Sequence, residues 1–164
     1  MKGRIAIPLN DAAGRLIGYA GQLVDEADVS EERPRILFPS KRERNGVTLD
    51  FRKSRVLYNG NRIEKPVEAI IVVKDFFSVW WLYQNGFKNV VAVMDSDCLD
   101  EQAKLLVEAV QPSGRIWILT ADQQFAAALL PRLAQGRFSR WAKLEESQQP
   151  ADLSGSELED CFAI

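Results

Sequence analysis

The 164-residue chain contains no histidine. That absence excludes serine–histidine and cysteine–histidine nucleophiles, imidazole general bases and histidine metal ligands. Any metal would have to be held by carboxylates, a donor set suited to a hard ion such as magnesium or manganese. Cysteine is scarce too. Cys98 and Cys161 form no CxxC pair and no zinc spacing, so reduced thiols and a cytoplasmic setting are expected. Long apolar runs are missing: the most apolar stretch is interrupted by Lys74 and Asp75, and the amino terminus shows no signal-peptide pattern, so no membrane partner is expected. Strong net charge is also absent, the formal value being -2. Its distribution is uneven. Residues 1–66 hold 13 Lys/Arg against 9 Asp/Glu, and residues 67–164 hold 8 against 14, which predicts a basic face near the amino end.

What the chain does have is a stretch of alternating character from Ala69 to Met94. Ala69 to Val73 is an apolar, β-branched run of strand length, Phe76 to Tyr83 is apolar on almost every side, and Gly86 supplies a helix stop. Val90 to Met94 is a second strand-like run. Strand, helix and strand in this order predict a right-handed βαβ unit. Ligands of such sheets sit beyond the carboxyl ends of the strands, which singles out Lys74, Asp75 and Ser78, then Asp95, Ser96 and Asp97.

Around this unit, Arg4 to Pro8 and Arg15 to Val24 read as a hairpin turning at Asn10–Gly14. Val24 to Arg33 reads as a solvated loop, Arg35 to Pro39 as a short strand, Lys41 to Asn45 as an exposed charged stretch, and Gly46 to Phe51 as a further strand. Pro66 marks the entry into the second region. Beyond Met94, Asp100 is expected to cap a helix with Leu99, Ala103, Leu106, Val107 and Val110 on one stripe, ended by Pro112 to Gly114. Arg115 to Leu119 is a third strand. Asp122 then caps a helix burying Phe125, Ala126, Leu129, Leu130 and Leu133, with a kink or break expected at Pro131. Phe138 to Leu144 reads as a last strand and Leu153 to Phe162 as a terminal helix. The predicted fold class is α/β: residues 67–164 form a mostly parallel sheet flanked by helices, and residues 1–66 form a small β-rich extension.

The segments GRIAIPLNDAAGRLIGYAGQLVD, FRKSRVLYN, IIVVKDFFSVWWLYQNGFKNVVAVM and RIWILTADQQFAAA resemble, in this order, the topoisomerase–primase (Toprim) domain as found in bacterial primase-type proteins. The resemblance covers nearly the whole chain. It implies a glutamate after the first core strand and an Asp-x-Asp pair after the third, which together hold a divalent metal for phosphoryl transfer. This sequence departs from that pattern. Lys74 stands at the glutamate position, Asp75 at the following glycine and Ser78 at the next acidic position. Thr120 replaces the first aspartate of the pair, Asp122 keeps the second, and Phe125 replaces a later glycine. A lysine ammonium repels a divalent cation, so metal-dependent catalysis is expected to be lost, and neither a catalytic residue nor a cofactor is expected.

Several residues admit two readings. Asp122 is either a leftover metal ligand or a helix cap, and the cap needs no metal. Asp95 and Asp97 either rebuild a metal site with Asp122 or are loop acids before a helix N-terminus. Lys74 either touches a phosphate or pairs with Asp95, Asp97 or Asp122, and pairing is the expected use because a lysine at an acidic edge needs a partner. Of Trp80 and Trp81, about 100° apart on a helix, one is expected in the core and one on a contact surface. Residues 33–55 hold 8 basic side chains near Phe38, Phe51 and Tyr58, a composition suited to single-stranded nucleic acid or to a solvated loop. The resemblance favours nucleic acid, with Arg4, Lys53 and Arg55 as contacts. The resulting reading is a degenerate primase-like Toprim domain that binds single-stranded DNA or RNA or a replication protein. Two alternatives stay open: an active magnesium- or manganese-dependent primase or nucleotidyltransferase using Asp95, Asp97 and Asp122, and a protein-interaction remnant docking through the Trp80/Trp81 helix. A mobile-element origin is what the resemblance implies, and the oligomeric state is left open.

Overall fold

The computed structural model describes residues 3–44, 46–49, 51–94 and 99–162. The chain divides into two compact units, Met1–Arg52 and Lys53–Ile164. Residues 53–66, read from sequence as the end of the extension, therefore pack with the second unit.

In the first unit, β1 (Arg4–Asn10) and β2 (Leu16–Leu23) form an antiparallel hairpin, and β3 (Ile36–Leu37) pairs with β2. The turn forms because Asp11 accepts backbone N–H bonds from Ala13 and Arg15, each at 2.9 Å, while Gly14 takes the left-handed φ of 79°. Only a residue without a Cβ adopts that angle at no cost. Ile7, Leu9, Ala20 and Leu23 are buried. The stretch read as exposed and charged at 41–45 contains a strand, β4 (Arg42–Arg44), paired antiparallel with β5 (Val47–Leu49). Charge did not prevent strand formation there, because a hairpin needs backbone partners and a turn rather than an apolar face.

The second unit carries the parallel sheet, in the order β7-β6-β8-β9. Its strands are β6 (Val67–Val73), β7 (Val90–Ala92), β8 (Val110–Thr120) and β9 (Phe138–Lys143). The connecting helices are α1 (Phe76–Gln84), α2 (Leu99–Ala109) and α3 (Gln123–Ala134), followed by α4 (Gly155–Phe162). Alternate strand residues point to opposite faces. Ile70, Val72, Val91, Val93, Ile116 and Ile118 meet Leu99, Leu106, Phe125, Leu129 and Leu133 of α2 and α3. On the other side Trp117 packs edge-on against Phe162 of α4, which also meets Phe87. Both faces are covered, which explains why the core strands read as unbroken apolar runs.

Two local expectations are corrected, and of the kink or break expected at Pro131 the break is absent. Helix α2 starts at Leu99, so Asp100 lies inside its first turn, where it still faces the positive end of the helix dipole, rather than at the cap. The helix ends at Ala109, and residues 110–114 already belong to β8, where the register against β6 shifts. Gly114 is required at that shift because an added Cβ would lie 2.6 Å from the Glu68 carbonyl oxygen. Helix α3 continues through Pro131 to Ala134. The carbonyl that Pro131 leaves without a helical donor belongs to Ala127, an exposed residue that water can serve.

The KSRVLYN stretch closes one edge of this sheet. Tyr58 forms an antiparallel bridge with Ala92 on the outer side of β7, with N–H···O distances of 3.0 and 3.2 Å. Asn59 adopts the left-handed conformation (φ 67°) and donates from Nδ2 to the Val90 carbonyl at 2.8 Å. Asparagine tolerates this backbone and supplies a donor, and no other residue type does both as well. Asn59→Gly should cost about 1–3 kcal/mol by orphaning a buried carbonyl. Asn59→Ala should cost about 1–2 kcal/mol more through backbone strain. Denaturant unfolding of the two variants checks the order; equal stabilities would refute it.

Candidate functional site

From β6 the chain goes first to β7 on one side and then to β8 on the other, so the strand order reverses between β6 and β8. That reversal opens a crevice at the carboxyl ends of these two strands, the usual ligand position in such sheets. The residues delivered there are Lys74, just after β6, and Asp122, just after β8. Lys74 Nζ lies 2.5 Å from Asp122 Oδ2. The ammonium also sits 5.5 Å from the centre of the Phe125 ring. Asp122 Oδ1 accepts the Phe125 N–H at 3.0 Å, capping α3, and the Asp122 N–H donates to Thr120 Oγ1 at 3.0 Å. The Lys74 hydrogen bond, followed by that of the Phe125 N–H, holds the Asp122 carboxyl below the ordinary aspartate range. The pair is a charged, half-exposed latch, with side chains 40% and 37% accessible.

Neighbouring positions are committed as well. Asp75 caps α1: Oδ1 accepts the Ser78 N–H at 2.9 Å and Oδ2 the Ser78 hydroxyl at 2.7 Å. The Thr120 carbonyl takes the Trp141 indole N–H at 2.8 Å and the Leu144 N–H at 3.2 Å. Met94 turns left-handed (φ 62°) as its N–H donates to the Lys74 carbonyl at 3.1 Å. Asp95 and Asp97 lie outside the described residues. Among the described residues no group of three or more acidic or cysteine side chains could hold a metal ion. Both oxygens of Asp122 and of Asp75 are engaged, and the cation at Asp122 is an ammonium.

The basic candidates fall into different units. Lys53 and Arg55 share one 3-10 turn, with Arg55 exposed and Lys53 half-buried. Arg4 belongs to the first unit, where Nη1 donates to the carbonyls of Gly21 at 3.0 Å and Arg35 at 3.1 Å and so stitches β1 to β2 and the approach to β3. Phe38 and Phe51 stack on each other with ring centres 6.0 Å apart. Both tryptophans of α1 are half-buried and satisfied internally. Trp80 donates to the Tyr58 hydroxyl at 2.8 Å and Trp81 to the Leu153 carbonyl at 3.0 Å. The more exposed ring on that helix is Phe77, edge-on to Trp80.

Sequence reasoning passed over Gln102. Its side chain is fully buried, and Nε2 reaches the carbonyls of Val93 at 2.7 Å and of Lys53 and Val56 at 3.2 Å. The available signal was its spacing: a polar residue three after Leu99 and four before Leu106, on the stripe that faces the core.

Comparison with known proteins bears on this arrangement. No protein-family model matches the chain. The DNA primase of Pseudomonas aeruginosa is 27% identical over 171 aligned positions, covering 98% of this chain and 24% of the relative. The DNA primase of Legionella pneumophila is 33% identical over 149 positions, covering 89% of this chain and 22% of the relative. The Aquifex aeolicus primase (zinc-binding and RNA polymerase domains) superposes with a TM-score of 0.73 at 23% identity, over 97% of this chain and 39% of that one. A DnaG primase catalytic domain bound to ssDNA superposes with a TM-score of 0.73 at 20% identity, over 98% of this chain and 51% of that one. The chain is a DNA primase-type Toprim domain. It spans about a quarter of the length of the curated relatives it matches. Among its described residues no helix is long and apolar enough to cross a membrane.

In this Toprim domain the Lys74–Asp122 pair should stabilise modestly, by under about 1 kcal/mol for a half-exposed ion pair. The folded Asp122 titrates below its unfolded value, so the contribution is complete above about pH 3.9 and disappears as pH falls through the folded pKa. Lys74→Met should therefore be less stable than the parent at pH 7, with the gap closing in acid. Urea unfolding of both chains at several pH values measures it, and a gap that widens on acidification would contradict the assignment.

Proposed function

We propose that this Toprim domain has given up metal-dependent phosphoryl transfer and serves in the cytoplasm as a binding module for single-stranded nucleic acid. The observation that carries the reading is the Lys74 ammonium on Asp122 at the strand-order reversal. A fixed monovalent cation stands where the resemblance calls for a divalent one, and it repels any metal ion approaching the same carboxylate. The fold matches that of primase catalytic domains, and a 3-10 turn of this chain carries Lys53 and Arg55. Basic side chains on such a turn can follow phosphates, and a primase neighbour of the same fold is bound to ssDNA. A replication-protein partner is a further expectation of the same reading. The internal bonding of Trp80 and Trp81 speaks against a docking surface built on their indole N–H groups.

Fluorescence anisotropy with labelled oligo-dT across a salt series tests the binding claim. Affinity should fall steeply with salt, and Lys53→Ala/Arg55→Ala should lower the slope of log K against log salt by about 1.4, the value for two phosphate contacts on a single strand. Salt-insensitive or undetectable binding at low ionic strength overturns it. Calorimetric titration with manganese tests the catalytic claim. The parent chain should give no binding heat at millimolar ion, whereas Lys74→Glu, which returns a carboxylate beside Asp122, should bind it. Millimolar or tighter binding by the parent would favour instead an active enzyme using Asp95, Asp97 and Asp122.

A further inference from the structure

The side chain of Gln102 makes an arrangement that core packing does not require. It is fully inaccessible to solvent and lies on the inner stripe of α2, where Leu99, Ala103 and Leu106 are apolar. Its Nε2 faces three backbone carbonyls: Val93 at 2.7 Å, and Lys53 and Val56 at 3.2 Å. An amide nitrogen has two hydrogens, so one of them is shared between two acceptors. The opposite orientation would set an oxygen against three oxygens, so the carbonyls themselves dictate which end of the amide faces them. The consequence falls on Oε1, which is buried without a hydrogen-bond partner among the described residues. Leaving such an acceptor unpaired carries a desolvation cost. A methionine of similar length would fill the same space without that cost.

The three carbonyls are not a random set. Lys53 and Val56 bracket the 3-10 turn that carries Lys53, Ser54 and Arg55, and Val93 is the residue just after β7. One amide thus ties both ends of the basic turn to the carboxyl end of a core strand. The turn's own closing bond, from the Val56 N–H to the Lys53 carbonyl at 3.1 Å, ends on an acceptor that Gln102 also uses. Removing the amide would take the Gln102 donor from the Lys53 and Val56 carbonyls.

We propose that Gln102 is a positioning residue that fixes the Lys53–Arg55 turn for contact with the phosphates of a single strand, an inference that rests on the nucleic-acid reading above. Its buried, half-satisfied amide is retained for the geometry of the turn. The test uses the full chain with Gln102→Met, Lys53→Ala/Arg55→Ala and the triple variant, with labelled oligo-dT as the probe. Gln102→Met should weaken binding about tenfold and lower the salt slope by about the same 1.4 as the double variant. The triple variant should lose nothing further, because a turn without its cations has nothing left to position. A purely structural role would instead give additive losses with an unchanged slope, and that result overturns the proposal. Hydrogen exchange supplies a readout independent of DNA. Amides of residues 53–57 should exchange faster in Gln102→Met while those of β6 stay protected, and unchanged exchange at 53–57 would equally overturn it. If the parent chain binds no oligonucleotide but Gln102→Met loosens the turn, the nucleic-acid reading fails, and with it the role assigned to Gln102.

Discussion

A parallel sheet buried between helices must keep both faces dry and leave no open row of backbone groups at its edges, and much of the second unit follows from that constraint. The faces are met by α2 and α3 on one side and by the Trp117–Phe162 contact of α4 on the other. The outer side of β7 is met by Tyr58 and Asn59, which pair with Ala92 and Val90 from a segment that precedes the sheet in sequence. Because that segment also carries Lys53 and Arg55, the residues that seal the sheet and the basic residues of the turn are one short piece of chain. Gln102 anchors its beginning and Asn59 its end.

The carboxyl edge between β6 and β8 gathers the charged side chains that follow the strands. Two helix N-termini and two strand ends converge there, an arrangement suited to gathering charge. In this chain the Lys74 and Asp122 charges neutralise one another. Asp75 is spent on Ser78, and Asp122 divides its oxygens between Lys74 and the first turn of α3. Lysine brings one charge on a long stem, can reach across the crevice, and needs no further ligands. The outcome is an edge where Asp122 has its counter-ion in Lys74.

Much of this was legible in the sequence because it depends on short-range rules. The apolar runs at 69–73 and 115–119, the stop at Gly86, the cap at Asp122 and the turn at Asn10–Gly14 are each set by a few neighbouring residues. The features that escaped depend on backbone pairing rather than on side-chain character. Arg42–Arg44 became a strand by meeting Val47–Leu49 just after it, and the register shift at Gly114 exists because the backbone at Glu68, far along the chain, passes too close for a side chain. Gln102 differs: its position on an inward stripe was visible, but its partners at Lys53, Val56 and Val93 are products of the tertiary fold. The identity of the Lys74 partner was likewise open among three aspartates until the strand order brought Asp122 to it.

The bridge between Tyr58 and Ala92 also bears on where the chain can be divided. A fragment cut at Pro66 would keep all four strands of the sheet but lose the lid on β7. Three residues of parallel strand would then present an uncovered row of N–H and C=O groups, the kind of edge along which one copy of a protein recruits another. Such a fragment would be prone to self-association even with its core composition unchanged, whereas a cut before Lys53 leaves the edge sealed. The division of labour in this chain thus lies upstream of where its proline sits, and the polar residues ahead of the sheet act as its guard against aggregation.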